Sequence, residues 1–159
     1  MEGYDVAQIC LNGHVITSTA GSSPQFRKNR CKKCGAETIM KCLHCNQNIK
    51  GYYHVPGVID MQMHYNLPRF CENCGKPYPW TEANINSVNE IIDFIDSFSD
   101  EEKSDFKEAI EELIKETAKV SVAKVKFKKY RKRIDSEMND GITDLLSVTL
   151  SEKLRKEVL

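Results

Sequence analysis

Residues 31–45 read Cys31-Lys32-Lys33-Cys34-Gly35-Ala36-Glu37-Thr38-Ile39-Met40-Lys41-Cys42-Leu43-His44-Cys45. Two Cys-x2-Cys pairs stand in this one short stretch. Such a pair presents two sulfurs to a single ion, and zinc prefers tetrahedral thiolate and imidazole ligands. Working outward, a third pair closes the cysteine-rich part of the chain, Cys71-Glu72-Asn73-Cys74-Gly75, and Cys10-Leu11-Asn12-Gly13-His14 opens it. Gly35 and Gly75 directly follow the second cysteine of their pairs, where the turn often needs a positive φ. The chain has seven cysteines in 159 residues. An odd count leaves one position open in two tetrahedral sites, and His14 fills it; otherwise Cys10 has no partner.

Taken in chain order, the ligands make two sites and use every cysteine. The first is Cys10, His14, Cys31 and Cys34; the second is Cys42, Cys45, Cys71 and Cys74. The gaps between the pairs are 16 and 25 residues, each enough for a short hairpin and loop. Pro24-Gln25-Phe26 before one pair echoes Pro68-Arg69-Phe70 before another. A cross-braced arrangement, joining alternate pairs, is compatible with the same spacing, although the tandem echo favours sequential pairing. His44, His54 and His64 read as ordinary side chains. The expected cofactor is Zn2+, two per chain. Iron suits the all-cysteine set as well, but the neighbouring thiolate–imidazole set favours zinc for both. A catalytic zinc keeps an open position for water, and here both sites are saturated. No Gly-rich phosphate loop, nucleophile elbow or His-Glu-x-x-His is present. The chain is expected not to be an enzyme, and no small-molecule substrate is evident.

Composition divides the chain near Pro77-Tyr78-Pro79-Trp80. All five prolines, all seven cysteines and seven of the eight glycines precede residue 81, and residues 81–140 contain neither Gly nor Pro. About eighty residues rich in turn formers sit in the size range where small scaffolds need staples. Bound metal supplies them. The second part reads as helical. Thr81 is expected to cap a helix carrying Ile85, Val88, Ile92 and Ile95, with Ile91, Phe94 and Phe98 widening the stripe. Ser99-Asp100-Glu101-Glu102 is a capping-box sequence. It opens a helix with Phe106, Ala109, Ile110, Leu113 and Ile114 on one face.

Val120, Ala123, Phe127, Tyr130 and Ile134 continue the three-four spacing. There a strand reading competes, because Val125 and Phe127 alternate with lysines, and the helix has more matches. After Gly141 a last amphipathic segment carries Ile142, Leu145, Leu146, Leu150, Leu154 and Val158. The expected fold is thus a small zinc-stabilised β-hairpin module (tandem zinc ribbons, residues 1–80) followed by an all-α helical region (residues 81–159).

The chain carries 23 basic and 23 acidic residues, which excludes a uniformly basic nucleic-acid binder and an acidic disordered tail. No apolar run approaches the ~18 residues of a membrane span. The start of the sequence lacks a secretory pattern, so a cytoplasmic location without membrane association is expected. The helical part is acidic first (net −9 over 81–117) and basic second (net +5 over 118–159). Lys124, Lys126, Lys128, Lys129, Arg131, Lys132 and Arg133 crowd one segment. They pair with the acidic helix, or they dock nucleic-acid phosphates or an acidic protein. Phe127 and Tyr130 fall on the apolar stripe and read as core. Arg27, Lys28, Arg30, Lys32, Lys33 and Lys41 surround the first metal site. They offset thiolate charge, or contact phosphates.

The motif order Cys-x-x-Gly-His, Cys-x-x-Cys-Gly, Cys-x-x-Cys and Phe70-Cys71-Glu72-Asn73-Cys74-Gly75-Lys76-Pro77-Tyr78-Pro79-Trp80-Thr81 resembles a bacterial family of double zinc-ribbon proteins of unknown function. The likeness is specific over residues 4–81 and looser through the helices to Ser151-Glu152-Lys153-Leu154. It implies cytoplasmic bacterial proteins with paired zinc sites and supplies no activity. The expected function is a non-catalytic interaction or adaptor protein with an unidentified protein partner. Nucleic-acid binding is the alternative, and a thiol-redox or metal sensor the third reading.

Overall fold

The structure, a computed structural model, describes residues 2–60 and 64–159. It divides into two compact units, one reaching to Glu82 and the other Ala83–Leu159.

The first unit is built from short antiparallel strands: β1 (Gly3–Val6), β2 (Gln8–Cys10), β3 (Val15–Thr17), β4 (Thr38–Ile39) and β5 (Lys50–His54). β2 is central in a three-stranded sheet, β3-β2-β4, and β1 pairs with β5. Ile9 faces Val15 on one side and Ile39 on the other, so all three residues of β2 are buried. β1 and β5 meet with Tyr4 opposite Tyr53. The core comprises Ala7, Ile9, Cys42, Ile49, Cys71, Tyr78 and Trp80. Two of these seven are cysteines that a metal would engage. Apolar burial here is too small to be separated from the sulfur chemistry.

Trp80 is fixed on three sides. Its ring stacks on Tyr78 with centroids 4.9 Å apart, and its Nε1 donates to Pro68 O at 2.8 Å. Gly13, at φ +86°, lies so close that a Cβ there would stand 3.0 Å from the Trp80 Cβ. Gly51 has a comparable role, because a Cβ would collide with the Ser18 carbonyl where the 18–20 segment crosses β5.

Helices follow: α1 (Pro79–Asp93), α2 (Asp100–Lys115), α3 (Val120–Arg131), α4 (Ser136–Thr149) and α5 (Glu152–Val158). A β region followed by an all-α region matches the expected order. α1 begins two residues before the expected cap. Proline is suited to a helix's first turn, where its missing N–H costs nothing, and the Tyr78 carbonyl accepts from both Thr81 N and Glu82 N. Thr81 is therefore a buried helical residue. α1 also stops at Asp93, so Phe94 leaves the expected stripe and is 72% exposed.

α2 starts with the full capping box, Ser99 Oγ accepting from Glu102 N and Glu102 accepting from Ser99 N. Residues 120–131 are helix, not strand. Gly141 lies inside α4 rather than before it. Its missing side chain lets α4 approach α1, since a Cβ would stand 3.1 Å from Ile91 Cδ1. The expected single last segment is two helices, because Leu150 turns extended and Ser151 caps α5.

The core of the second unit includes Val88, Ile92, Phe106, Ile110, Leu113, Phe127, Ile142 and Leu146, all essentially inaccessible. Phe106 is surrounded by Phe98, Phe127 and Tyr130 at centroid distances of 5.0–6.2 Å. No helix among the described residues is long and apolar enough to cross a membrane.

Candidate metal centres

Each Cys-x2-Cys pair occupies the same backbone turn. In the first, Gly35 N donates to Cys31 O at 2.8 Å and Cys31 N to Ala36 O at 2.9 Å, and Arg30 bridges Glu37 across the base. In the last, Gly75 N donates to Cys71 O and Cys71 N to Lys76 O, with Phe70 bridging Pro77. The middle pair repeats this through Asn46 N to Cys42 O and Cys42 N to Gln47 O, with Lys41 bridging Asn48. The residue after the second cysteine is left-handed in all three: φ is 72° at Gly35, 61° at Asn46 and 72° at Gly75. Asparagine replaces glycine in one because its short polar side chain tolerates that region. The opening pair forms a related turn, with Gly13 N donating to Cys10 O and Cys10 N to His14 O.

These turns face each other in sequential pairs. Ligand atoms of Cys10, His14, Cys31 and Cys34 lie within 4.8 Å of one another, as do those of Cys42, Cys45, Cys71 and Cys74. The structure brings together all eight residues expected from the spacing, and the cross-braced combination is not the one formed. In the first cluster Cys10 Sγ stands 3.7 Å from Cys34 Sγ, and His14 Nδ1 stands 3.5 Å from Cys10 Sγ and 3.6 Å from Cys31 Sγ. In the second, Cys42–Cys74 and Cys45–Cys71 are both 3.7 Å apart.

A tetrahedron with metal–sulfur bonds of ~2.3 Å and metal–nitrogen bonds of ~2.0–2.1 Å has S···S edges of about 3.8 Å and S···N edges of about 3.6 Å. The observed separations fit that figure. They are far longer than the ~2.05 Å of a disulfide.

Burial is graded within each cluster. The first cysteine of every pair (Cys10, Cys31, Cys42, Cys71) is buried, whereas Cys34 and Cys74 are exposed. The inner sulfurs belong to the fold, and the outer ones lie at the surface. Amide donors tune the outer thiols. The Ala36 N–H and the Asn12 side chain hold Cys34 down, to about 6, with Asn12 Nδ2 3.3 Å from its sulfur. In the other cluster the Asn73 side chain and the Gln47 N–H bring Cys45 to about 6. The Lys76 N–H lowers Cys74, but desolvation and its three thiol neighbours outweigh it and push the group up to about 11. Four sulfurs converging on one point cannot all ionise without a cation between them. A divalent ion would relieve that conflict by displacing the remaining protons.

Several supporting residues carried no sequence signal. Gln8 is buried, with its amide holding Lys28 and Thr38. Asp5 accepts from Gly21 N at 2.7 Å and from Ser22 N, tying down the segment behind β1. Asn12 and Asn73 are legible only in hindsight, as polar residues within ligand turns.

The basic residues separate into two groups. On α3 and just beyond its end, Lys126 pairs with Asp105 at 2.5 Å, Arg133 with Glu102 at 2.6 Å, and Lys124 with Glu157. Arg131 donates to Asn139 Oδ1, Thr143 Oγ1 and Val158 O, which makes it an internal tie between helices. Among the described residues Lys128, Lys129 and Lys132 form no direct ion pair, although Lys128 and Lys129 act electrostatically on Glu157 and Glu102. Near the first cluster, Arg27 Nε donates to Ala20 O and Arg30 pairs with Glu37 at 3.3 Å. Lys28, Lys32 and Lys33 are exposed.

A bacterial family described as "Uncharacterized protein conserved in bacteria (DUF2321)" matches residues 3–158. No curated protein and no solved structure is significantly similar to the chain.

Proposed function

The chain belongs to that bacterial family over nearly its whole length, and we propose that its two clusters are structural zinc sites, two ions per chain. On this reading they make tandem zinc ribbons, a scaffold for a non-catalytic interaction protein. The carrying observation is the match between the 3.5–3.7 Å ligand separations in both clusters and a closed tetrahedral shell. Four protein donors leave no position for water or substrate, so neither ion has Lewis acidity to lend. With zinc held, Cys42 and Cys71 complete the core around Trp80. The metal then contributes to folding directly, at an apparent ~10–16 kcal/mol per site in small zinc peptides.

Metal analysis of protein purified without added metal tests this. Two zinc ions per chain are expected, with one lost on His14→Ala and one on Cys74→Ser. Cobalt substitution should show two distinct ligand fields, one for three sulfurs with nitrogen and one for four sulfurs. Iron in place of zinc, bridged cysteines, or a hydrolase or transferase activity that vanishes on ligand mutation would overturn the reading.

A further inference from the structure

The two ribbons carry equivalent grooves, and only one of them is cationic. Each groove runs between the segment after the ribbon's first ligand pair and the turn that presents its second pair. Beside the first cluster it borders the ligands His14 and Cys31, its lining also includes Val15, Phe26, Lys28, Arg30, Lys32 and Lys33, and its volume is about 350 Å³. Beside the second it is lined by residues including Gln47, Asn48, Lys50, Phe70, Glu72 and Asn73, at about 270 Å³. In the second groove Lys50 is neutralised by Glu72 at 2.5 Å. No carboxylate lines the first. Among the described residues, Lys28, Lys32 and Lys33 have no acidic partner, and Arg30 meets Glu37 only at the exposed rim. Phe26 stands 56% exposed on the short 3-10 turn Pro24–Phe26, with Val15 42% exposed nearby.

Offsetting thiolate charge does not explain this asymmetry. With zinc bound, three thiolates leave a net single negative charge and four leave a double one, so the second cluster needs more compensation. The unpaired cations line the groove of the less anionic cluster. Their side chains are exposed to solvent.

We propose that the first groove binds single-stranded nucleic acid, the phosphates running along Lys28, Arg30, Lys32 and Lys33 and an unpaired base stacking on Phe26. The pairing of a cationic track with an exposed aromatic face is what sequence-tolerant single-strand binding requires. In a duplex the base faces are already stacked and unavailable to the ring. An acidic peptide would satisfy the lysines but gain nothing specific from the phenyl face. The inference rests on the zinc-scaffold reading and names its partner.

Gln8 anchors the backbone at one side of the groove. Its side chain clamps the Lys28 backbone to β2, so the main chain that carries Lys28 and follows the aromatic turn is held before any ligand arrives. Less ordering entropy then remains to be lost on binding.

Fluorescence anisotropy of the full-length, zinc-loaded protein with labelled oligo(U) and oligo(dT) tests the proposal, with duplex and poly-glutamate as competitors. Both single strands should bind at low salt, and four phosphate contacts give a log–log salt slope of about −3. Phe26→Ala should weaken binding about tenfold, Phe26→Tyr should retain it, and Lys28→Glu or the pair Lys32→Glu/Lys33→Glu should abolish it. Lys128→Glu/Lys132→Glu at the C-terminal end of α3 should change it less than twofold. Phe26 and Lys28 lie outside the ligand turns, so their variants are read even if the Lys32/Lys33 pair disturbs metal binding.

Zinc content of each sample is measured separately. Absence of zinc refutes the scaffold reading whatever the anisotropy shows. A protein with two zincs that fails to bind either strand overturns the groove proposal alone. So does binding in which duplex or poly-glutamate competes as well as oligo(U), or in which Phe26→Ala has no effect.

Discussion

The side-chain amide of Gln8 engages both polar groups of the Lys28 peptide: Nε2 donates to Lys28 O at 2.8 Å and Oε1 accepts from Lys28 N at 2.9 Å. Gln8 thereby behaves like one more strand partner at the buried edge of β2. Replacing it with Leu keeps the volume, leaves Lys28 N unpaired and leaves Lys28 O to the Thr38 hydroxyl alone. The expected loss is about 1–3 kcal/mol, read by urea denaturation. Trp80, the only tryptophan, sits in the first unit's core and reports on its unfolding.

Cys42→Ser or Cys71→Ser removes one donor from a sulfur set that is also part of the core around Trp80. Zinc content should fall from two to one and the Trp80 transition should lose most of its midpoint. Lys128→Ala removes only a through-space interaction with the exposed Glu157 and should shift stability by less than about 0.5 kcal/mol. Thermal melts with metal analysis of the same samples check both.

Asn46 holds the left-handed turn position at φ 61° that Gly35 and Gly75 occupy in the sister turns. Asn46→Gly should be neutral or slightly stabilising. Asn46→Val forces a β-branched side chain into that region, at a cost of roughly 1–2 kcal/mol, and should speed zinc release to a chelator. Equal release rates for the two variants would contradict the assignment.

Asp105 receives hydrogen bonds from Lys126 and from Tyr130 Oη, at 2.5 and 2.8 Å, and these hold its carboxyl below the ordinary value. A depressed native value means the carboxylate stabilises the folded state. That contribution is complete above the unfolded value near 3.8 and is lost as pH falls through the lower native one. Asp105→Asn should therefore be less stable than the parent at neutral pH. The gap should narrow on acidification, as followed by helical ellipticity. A pH-independent gap would show that the ion pair is not its source.

The ligand set was legible because metal chemistry writes itself into short spacings: three Cys-x2-Cys turns and Cys10-x3-His14 are local, and their chain order pairs them. Helices were legible from apolar period, as at Phe106, Ala109, Ile110 and Leu113. Misreadings fell at ends and exceptions. Thr81 looked like a cap because its side chain suits one, whereas Pro79 set the start. Gly141 looked like a breaker, yet close packing against Ile91 decides its place. Gln8 and Asp5 were invisible, since a polar residue that clamps a loop twenty or sixteen positions away has no periodic signature. The groove at Phe26 was equally hidden. The Pro-x-Phe echo suggested a repeat, but Phe26 lies on a 3-10 turn and Phe70 in a bridge beside its cysteine.

All four donors of the upstream cluster precede Cys42, the earliest donor of the downstream one. On a ribosome, which releases the polypeptide from its N-terminal end, Cys34 emerges ahead of every sulfur of the other cluster. The order of translation thus discourages mispaired chelates without a chaperone having to sort them.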